Sequence, residues 1–214
     1  SPARDEPWHY YNPADPTDGA IITMIEDHIF NLTEALVAGN NERAAFEAAW
    51  MAHTIVDGLT PAHHYPLSDK IEELWGYPKE MRKSIKDKNI IKGKSRRDTL
   101  SKNWQYWGAK GVFTTHFMFE FGFATTIAPL KVIAGKPNQD ELIRVQASGV
   151  IPFFREAALR IHAMRMYEEF QVSGWTPKLA KQTKLHLAPL IIKTVALSWY
   201  YAAYQADQLK AKQG

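Results

Sequence analysis

The chain has 214 residues, enough for one domain with a large core, and its 45% hydrophobic and 23% charged residues are those of an ordinary globular protein. It has no cysteine, which excludes disulfides, thiolate catalysis and cysteine-ligated zinc and leaves histidine, aspartate and glutamate as the metal-binding repertoire. The net charge of +3 is modest but uneven: residues 79–97 hold nine Lys and Arg against Glu80 and Asp87. That stretch reads as a solvated loop, or as a surface that attracts the phosphate of a nucleic acid or a lipid headgroup.

Residues 1–18, with Pro2, Pro7, Pro13 and Pro16, predict an extended N-terminal arm, and residues 19–214 a single helical domain with a basic loop insertion over about 65–97. Helical periodicity starts after Asp18, a candidate N-cap, and aligns Ile21, Ile25, His28, Leu32 and Ala35 before Gly39. A second helix spans about Asn41 to Asp57 with Phe46, Trp50, His53 and Asp57 on one side, and Gly58 and Pro61 end it. Short helical stretches follow around Ile71–Trp75 and Lys79–Lys86. A long helix begins near Asp98 or Gly108 and carries Phe113, His116, Glu120, Phe123 and Ile127, with Pro129 kinking or dividing it. Pro137-Asn138 opens a helix predicted to reach about Val172 with a kink at Pro152, and Thr176-Pro177 caps a last helix towards Gln213. No alternating strand pattern, hairpin signal or internal repeat is present, so the expected fold is an all-α multi-helix bundle. No run of 18 apolar residues occurs, and no membrane span is expected.

Two patterns carry chemistry. His53-x3-Asp57-x5-His63 and His116-x3-Glu120 each set an imidazole and a carboxylate four residues apart, on one face of a helix, a spacing suited to two ligands of one metal ion. With 8 His and 23 acidic residues in 214, either pair arises about once by chance, whereas the extension to His63 lowers the expectation to roughly 0.03. Other readings stand beside these. His53, between Phe46 and Trp50, can be a core imidazole bonded to Asp57, and His28 a satisfied core residue. Glu120 lies among Phe113, Phe117, Phe119, Phe121 and Phe123, where an ionised carboxylate is costly without a cation. His162 and His186 lack an acid at ligand spacing and read as structural or surface residues. The closing aromatic run Trp199–Tyr204 reads as core packing.

The wording of residues 53–63, with Pro61 two positions before His63, and the later His116 and Glu120 resemble the zinc-binding signature of the zinc-dependent phospholipase C and S1/P1 nuclease superfamily. The resemblance implies an all-helical phospholipase C/P1 nuclease-like fold with two or three zinc ions. A first zinc would take Asp15 or Asp18, His28, His53 and Asp57, and a second His63, His116 and Glu120. A third would use His9 and Trp8 with Asp57 as a shared, catalytically central carboxylate. It further implies a hydrolase whose metal-activated water cleaves a phosphodiester, in a phospholipid headgroup or a nucleic acid, and a secreted, extracytoplasmic protein of bacterial type whose signal peptide has been removed. The alternatives are a catalytically degenerate, metal-binding helical interaction protein and a di-metal carboxylate bundle. The latter lacks its usual Glu-x-x-His pairs, since Glu26–His28 and Glu47–His53 have the wrong spacing.

Overall fold

The apolar face of the first predicted helix becomes the middle of the molecule. In a computed structural model, which describes residues 9–65, 67–78, 81, 90–129 and 133–213, helix α1 (Ala20–Val37) buries Ile21, Ile25, Leu32 and Ala35 against α2 (Asn41–Leu59) and the C-terminal helix. Asp18 does not cap α1. Gly19 is the N-cap residue, and the Asp18 carboxylate instead accepts the backbone N–H of Asn12 at 2.8 Å, closing the turn that precedes the helix. Gly39, at φ 68°, supplies the left-handed residue that reverses the chain between α1 and α2. Asn40 then caps α2 by accepting the Arg43 N–H.

The remaining described helices are α3 (Leu67–Trp75), α4 (Arg96–Trp107), α5 (Val112–Ile127), α6 (Gln139–Ser148), α7 (Ile151–Ala163), α8 (Met166–Ser173), α9 (Pro177–Gln182) and α10 (Ala188–Gln213). A π-helical segment, Thr183–Leu187, joins α9 to α10, so the predicted last helix is one continuous run. The expected all-α architecture is what the chain adopts, and no strand occurs among the described residues. Helix α10 crosses α1 and α2, donating the Trp199 indole N–H to the Ala48 carbonyl at 3.0 Å and accepting the Thr33 hydroxyl at the Ala202 carbonyl.

Several boundaries depart from the periodicity. Of the two predicted starts, Asp98 would run two helices together, and the one near Gly108 is closer to that of α5. Gly108 and Gly111 shape the turn between α4 and α5, where a Cβ on either would lie 2.4 Å from a carbonyl oxygen, that of Trp104 or of Tyr106. Helix α5 stops at Ile127, before Pro129. The single helix expected from Asn138 to Val172 is divided at Gly149 (φ 73°) and again at Arg165 (φ 51°), while Pro152 sits harmlessly in the first turn of α7.

The N-terminal segment is not wholly a free arm. Tyr11 is buried against Phe154, and its N–H donates to the His63 carbonyl at 3.1 Å. The basic insertion has a small core of its own, where Ile71, Trp75, Ile91 and Tyr106 pack together. Trp8 and most of the run between Lys79 and Lys88 lie outside the described residues.

Candidate metal centre

The C-terminal end of α2 can approach its neighbours because Gly58 follows Asp57. A Cβ at Gly58 would stand 2.7 Å from the Phe154 ring of α7, so glycine is what lets α2 and α7 close over this end of the bundle. Asp57 and His53 project from that last stretch of α2. After Thr60, Pro61 starts a 3₁₀ turn, Pro61–His64, that carries His63 back alongside Asp57. Residues 9–11 lie against this turn. The His63 ring is held by an N–H donated from Nδ1 to the His9 carbonyl at 2.7 Å, and the Tyr11–His63 backbone bond fixes the same segment. Helix α5 closes the constellation with His116 and Glu120, one turn apart.

Two groups result. In the first, Asp57 Oδ2 is 2.5 Å from His9 Nδ1 and 3.3 Å from His53 Nε2. In the second, Glu120 Oε1 is 2.8 Å from His63 Nε2 and 3.2 Å from His116 Nε2. Within each group the candidate ligand atoms lie within 4.8 Å of one another. Asp57 joins the two, because its other oxygen stands 3.8 Å from His63 Nδ1. The mouth opens at His53 and Glu120, about half of whose side chains are exposed, whereas Asp57 and His63 are nearly covered.

The donor set fits a cation. With Nδ1–H committed to the His9 carbonyl, His63 turns Nε2 towards a carboxylate oxygen, a contact that attracts only if a proton or a metal ion lies between them. Nitrogen and oxygen ligands at 2.0–2.2 Å from zinc, in tetrahedral geometry, stand roughly 3.4 Å apart, near the 3.2 Å from His116 to Glu120 and the 3.3 Å from His53 to Asp57, while the 2.8 and 2.5 Å contacts of His63 and His9 are hydrogen-bond distances. Each group could therefore hold a metal ion, with imidazoles and carboxylates as its only ligands. Although burial by itself would push the Glu120 carboxyl up, hydrogen bonds from His116 and His63 and their charge hold it down at about 2. His116 Nδ1 is buried with no hydrogen-bond partner among the described residues.

The structure brings together His9, His53, Asp57, His63, His116 and Glu120, but not the upstream residues that the sequence assigned to the first zinc. His28 pairs with Glu47 at 2.6 Å, and Glu47 also meets Arg43. Glu47 precedes Asp57 by ten residues on the same helix, about 15 Å of rise, so His28 and Asp57 are too far apart to share one ion. Asp15 folds back on its own chain, its carboxylate accepting the backbone N–H and hydroxyl of Thr17, and those bonds lower its pKa. Asp18 is engaged by Asn12. His9 meets Asp57, the carboxylate that the resemblance gave it to share, and His53 meets the same oxygen.

The apolar surroundings expected of both pairs also need correction. Phe46 and Trp50 face outwards, and the buried face of α2 is Ala44, Glu47, Met51, Thr54, Ile55 and Gly58. Phe113, Phe117 and Phe121 are exposed, and of the phenylalanines flanking Glu120 only Phe119 is fully buried. The charge on Glu120 is thus compensated by two imidazoles and water rather than isolated in hydrocarbon.

The adjacent His64 points the other way. Its Nε2–H donates to the Gly58 carbonyl at 3.1 Å, its ring packs on His162, and burial pushes its imidazole down to about 4. His186 is exposed. The sequence reading missed Tyr10, whose ring centroid lies 5.7 Å from that of His63 and 6.3 Å from that of His116. Its only signal was adjacency to His9. It also missed the buried Glu47, betrayed by its place four residues before Met51 and eight before Ile55 on an apolar face. No family model, curated protein or solved structure matches this chain, so the centre is defined by its own geometry.

Proposed function

We propose that this chain is a zinc-dependent phosphodiester hydrolase with a phospholipase C/P1 nuclease-like helical fold, acting on a phospholipid headgroup or a nucleic acid. The observation that carries the reading is the meeting of His63 with His116 and Glu120, separated by more than fifty residues of sequence, beside His53 and Asp57 from the same motif. Imidazole and carboxylate ligands without thiolates suit zinc, and a metal-binding histidine is usually held through its other nitrogen by a carbonyl or carboxylate, as His63 is by the His9 carbonyl.

His63, His116 and Glu120 would hold one ion, and His9, His53 and Asp57 another. Zinc in such a place lowers the pKa of water and draws in phosphoryl oxygens. The residues do the rest. Asp57, with one oxygen in each direction, keeps the two groups in register. The His9 carbonyl keeps His63 in the tautomer that presents Nε2. Glu120 and His53 stand at the exposed rim, where an anionic substrate arrives. Two carboxylates leave the charge of two divalent ions only half neutralised, which favours a phosphodiester anion over a neutral ester.

The test is hydrolysis of a generic phosphodiester, a short-chain phosphatidylcholine and single-stranded DNA by metal-loaded protein. At least one should be cleaved, with activity lost on chelation, restored by zinc and abolished in His63→Ala. Filled metal sites with no turnover of all three substrates would refute the reading and leave a metal-binding protein without hydrolase chemistry.

A further inference from the structure

Helix α5 is apolar on nearly every face, yet it lies at the periphery. Between Val112 and Ile127 its sole charged residue is Glu120, and among its described side chains only Phe119 is fully buried. A helix hydrophobic all round normally sits inside a core or against lipid. The residues left outside form a row rather than a scatter. Phe113, Phe117 and Phe121 recur every fourth residue, and each lies roughly 60–100° around the helix from His116 or Glu120. Trp107 continues the row into α4, its ring centroid 4.7 Å from that of Phe113. Trp104 and Leu100, 72% and 74% exposed, extend it by two more turns.

The charge beside this row is mostly positive. Arg96 and Arg97 stand one turn before Leu100 on α4, and Lys110 lies in the connection to α5, all exposed. Residues 90–129 contain six Lys and Arg against Asp98 and Glu120, a surplus of four in a chain whose total is +3, so the rest of the molecule is slightly acidic. Lys92, Lys94 and Lys102 line one cavity of about 560 Å³ with Trp75 and Tyr77.

We propose that the outer face of α4 and α5 is a docking surface for an anionic lipid bilayer, which seats Leu100, Trp104, Trp107, Phe113, Phe117 and Phe121 at the acyl boundary and brings the basic residues to the headgroups. Tryptophan and phenylalanine beside Arg and Lys are the composition of an interfacial helix. No described helix is long and apolar enough to cross a membrane, so the face lies on the bilayer. A single-stranded nucleic acid would need cations interleaved with the stacking rings along its path, and α5 has no Lys or Arg. A symmetric dimer through this face would set the two basic rims against each other. The surface stands independently of the metal reading. Only its corollary, that a bilayer held here presents a phosphodiester headgroup beside His116 and Glu120, rests on it.

The experiment is co-sedimentation and tryptophan emission of the full chain with two kinds of vesicle, phosphatidylcholine alone and equal parts phosphatidylcholine and phosphatidylserine. Each is run with and without chelator. The mixed vesicles should bind the protein more tightly and shift its emission to the blue. R96Q/R97Q should weaken binding to mixed vesicles roughly thirtyfold while leaving phosphatidylcholine binding unchanged. F117S/F121S should weaken binding to both at least about tenfold with unaltered circular dichroism. Absence of vesicle binding, or binding indifferent to F117S/F121S, would overturn the proposal. So would a dimer dissolved by F117S/F121S, or single-stranded DNA binding lost in both variants without vesicle binding. Vesicle binding that survives chelation in a protein with no hydrolase activity would sink the hydrolase reading and leave this surface standing.

Discussion

Two histidine–carboxylate clusters share helix α2 and differ in how their charge is met. Near its start, Glu47 is 1% exposed and answered by both His28 and the Arg43 guanidinium. That carboxylate has its cation built into the chain. At the other end Asp57, like Glu120 beside it, meets imidazoles only, and no Lys or Arg pairs with either among the described residues. The first cluster is a closed structural pair. The second has no permanent cation of the chain among the described residues and could accept a metal ion. The identity of the residues, His plus acid, does not separate the two cases; the presence of a permanent cation does.

The comparison is broken most directly by removing ligands. His63→Ala or Asp57→Asn should lower zinc affinity at least about 100-fold while helical content stays as in the parent, read by metal titration and circular dichroism. Unchanged zinc affinity in both variants would make the site end a structural pair like the other. Gly58→Ala tests the joint between Asp57 and α7. The added methyl meets the Phe154 ring, and the cost should be about 1–3 kcal/mol in denaturant melts, with weaker metal binding as α2 is pushed away. An unaltered melt would mean that the close approach carries no packing constraint.

The other cluster should respond in the opposite currency. Arg43→Ala leaves Glu47 buried with His28 alone. Because the guanidinium is half-exposed, the loss should be about 1–2 kcal/mol, well under the figure for a fully buried pair, with metal content untouched. A drop in bound zinc would contradict the separation of the clusters. The smallest effect belongs to Phe46→Ser on the outward face of α2, expected within about 0.5 kcal/mol of the parent and without consequence for metal binding.

Much of this was legible in the chain. The helical periodicity of α1 named Ile21, Ile25, Leu32 and Ala35, all of them buried, because one-sided burial is what creates the pattern. The motif spacings named His53, Asp57, His63, His116 and Glu120, which converge because each pair is internal to a helix or to the turn that ends it. What failed depended on long-range geometry. His28 has a partner nineteen residues away, and no local spacing separates a ligand from a paired core histidine. The Asp15 and Asp18 carboxylates were claimed by turn amides, a competing use that short polar side chains always offer. The phenylalanines around Glu120 were read as a buried setting because α5 has no polar face to mark its outside. That same absence makes the exposed row of α4 and α5 visible once the fold is known.

The most direct test of the central claim is metal stoichiometry. Purified protein would be stripped, reloaded with zinc, dialysed and analysed by elemental mass spectrometry beside His63→Ala and Arg43→Ala. Two groups that each take an ion, and one whose charge is met within the chain, predict close to two zinc ions per chain in the parent, a loss in His63→Ala, and the parental value in Arg43→Ala. A parent that retains no zinc, or a His63→Ala protein that retains as much as the parent, would contradict it.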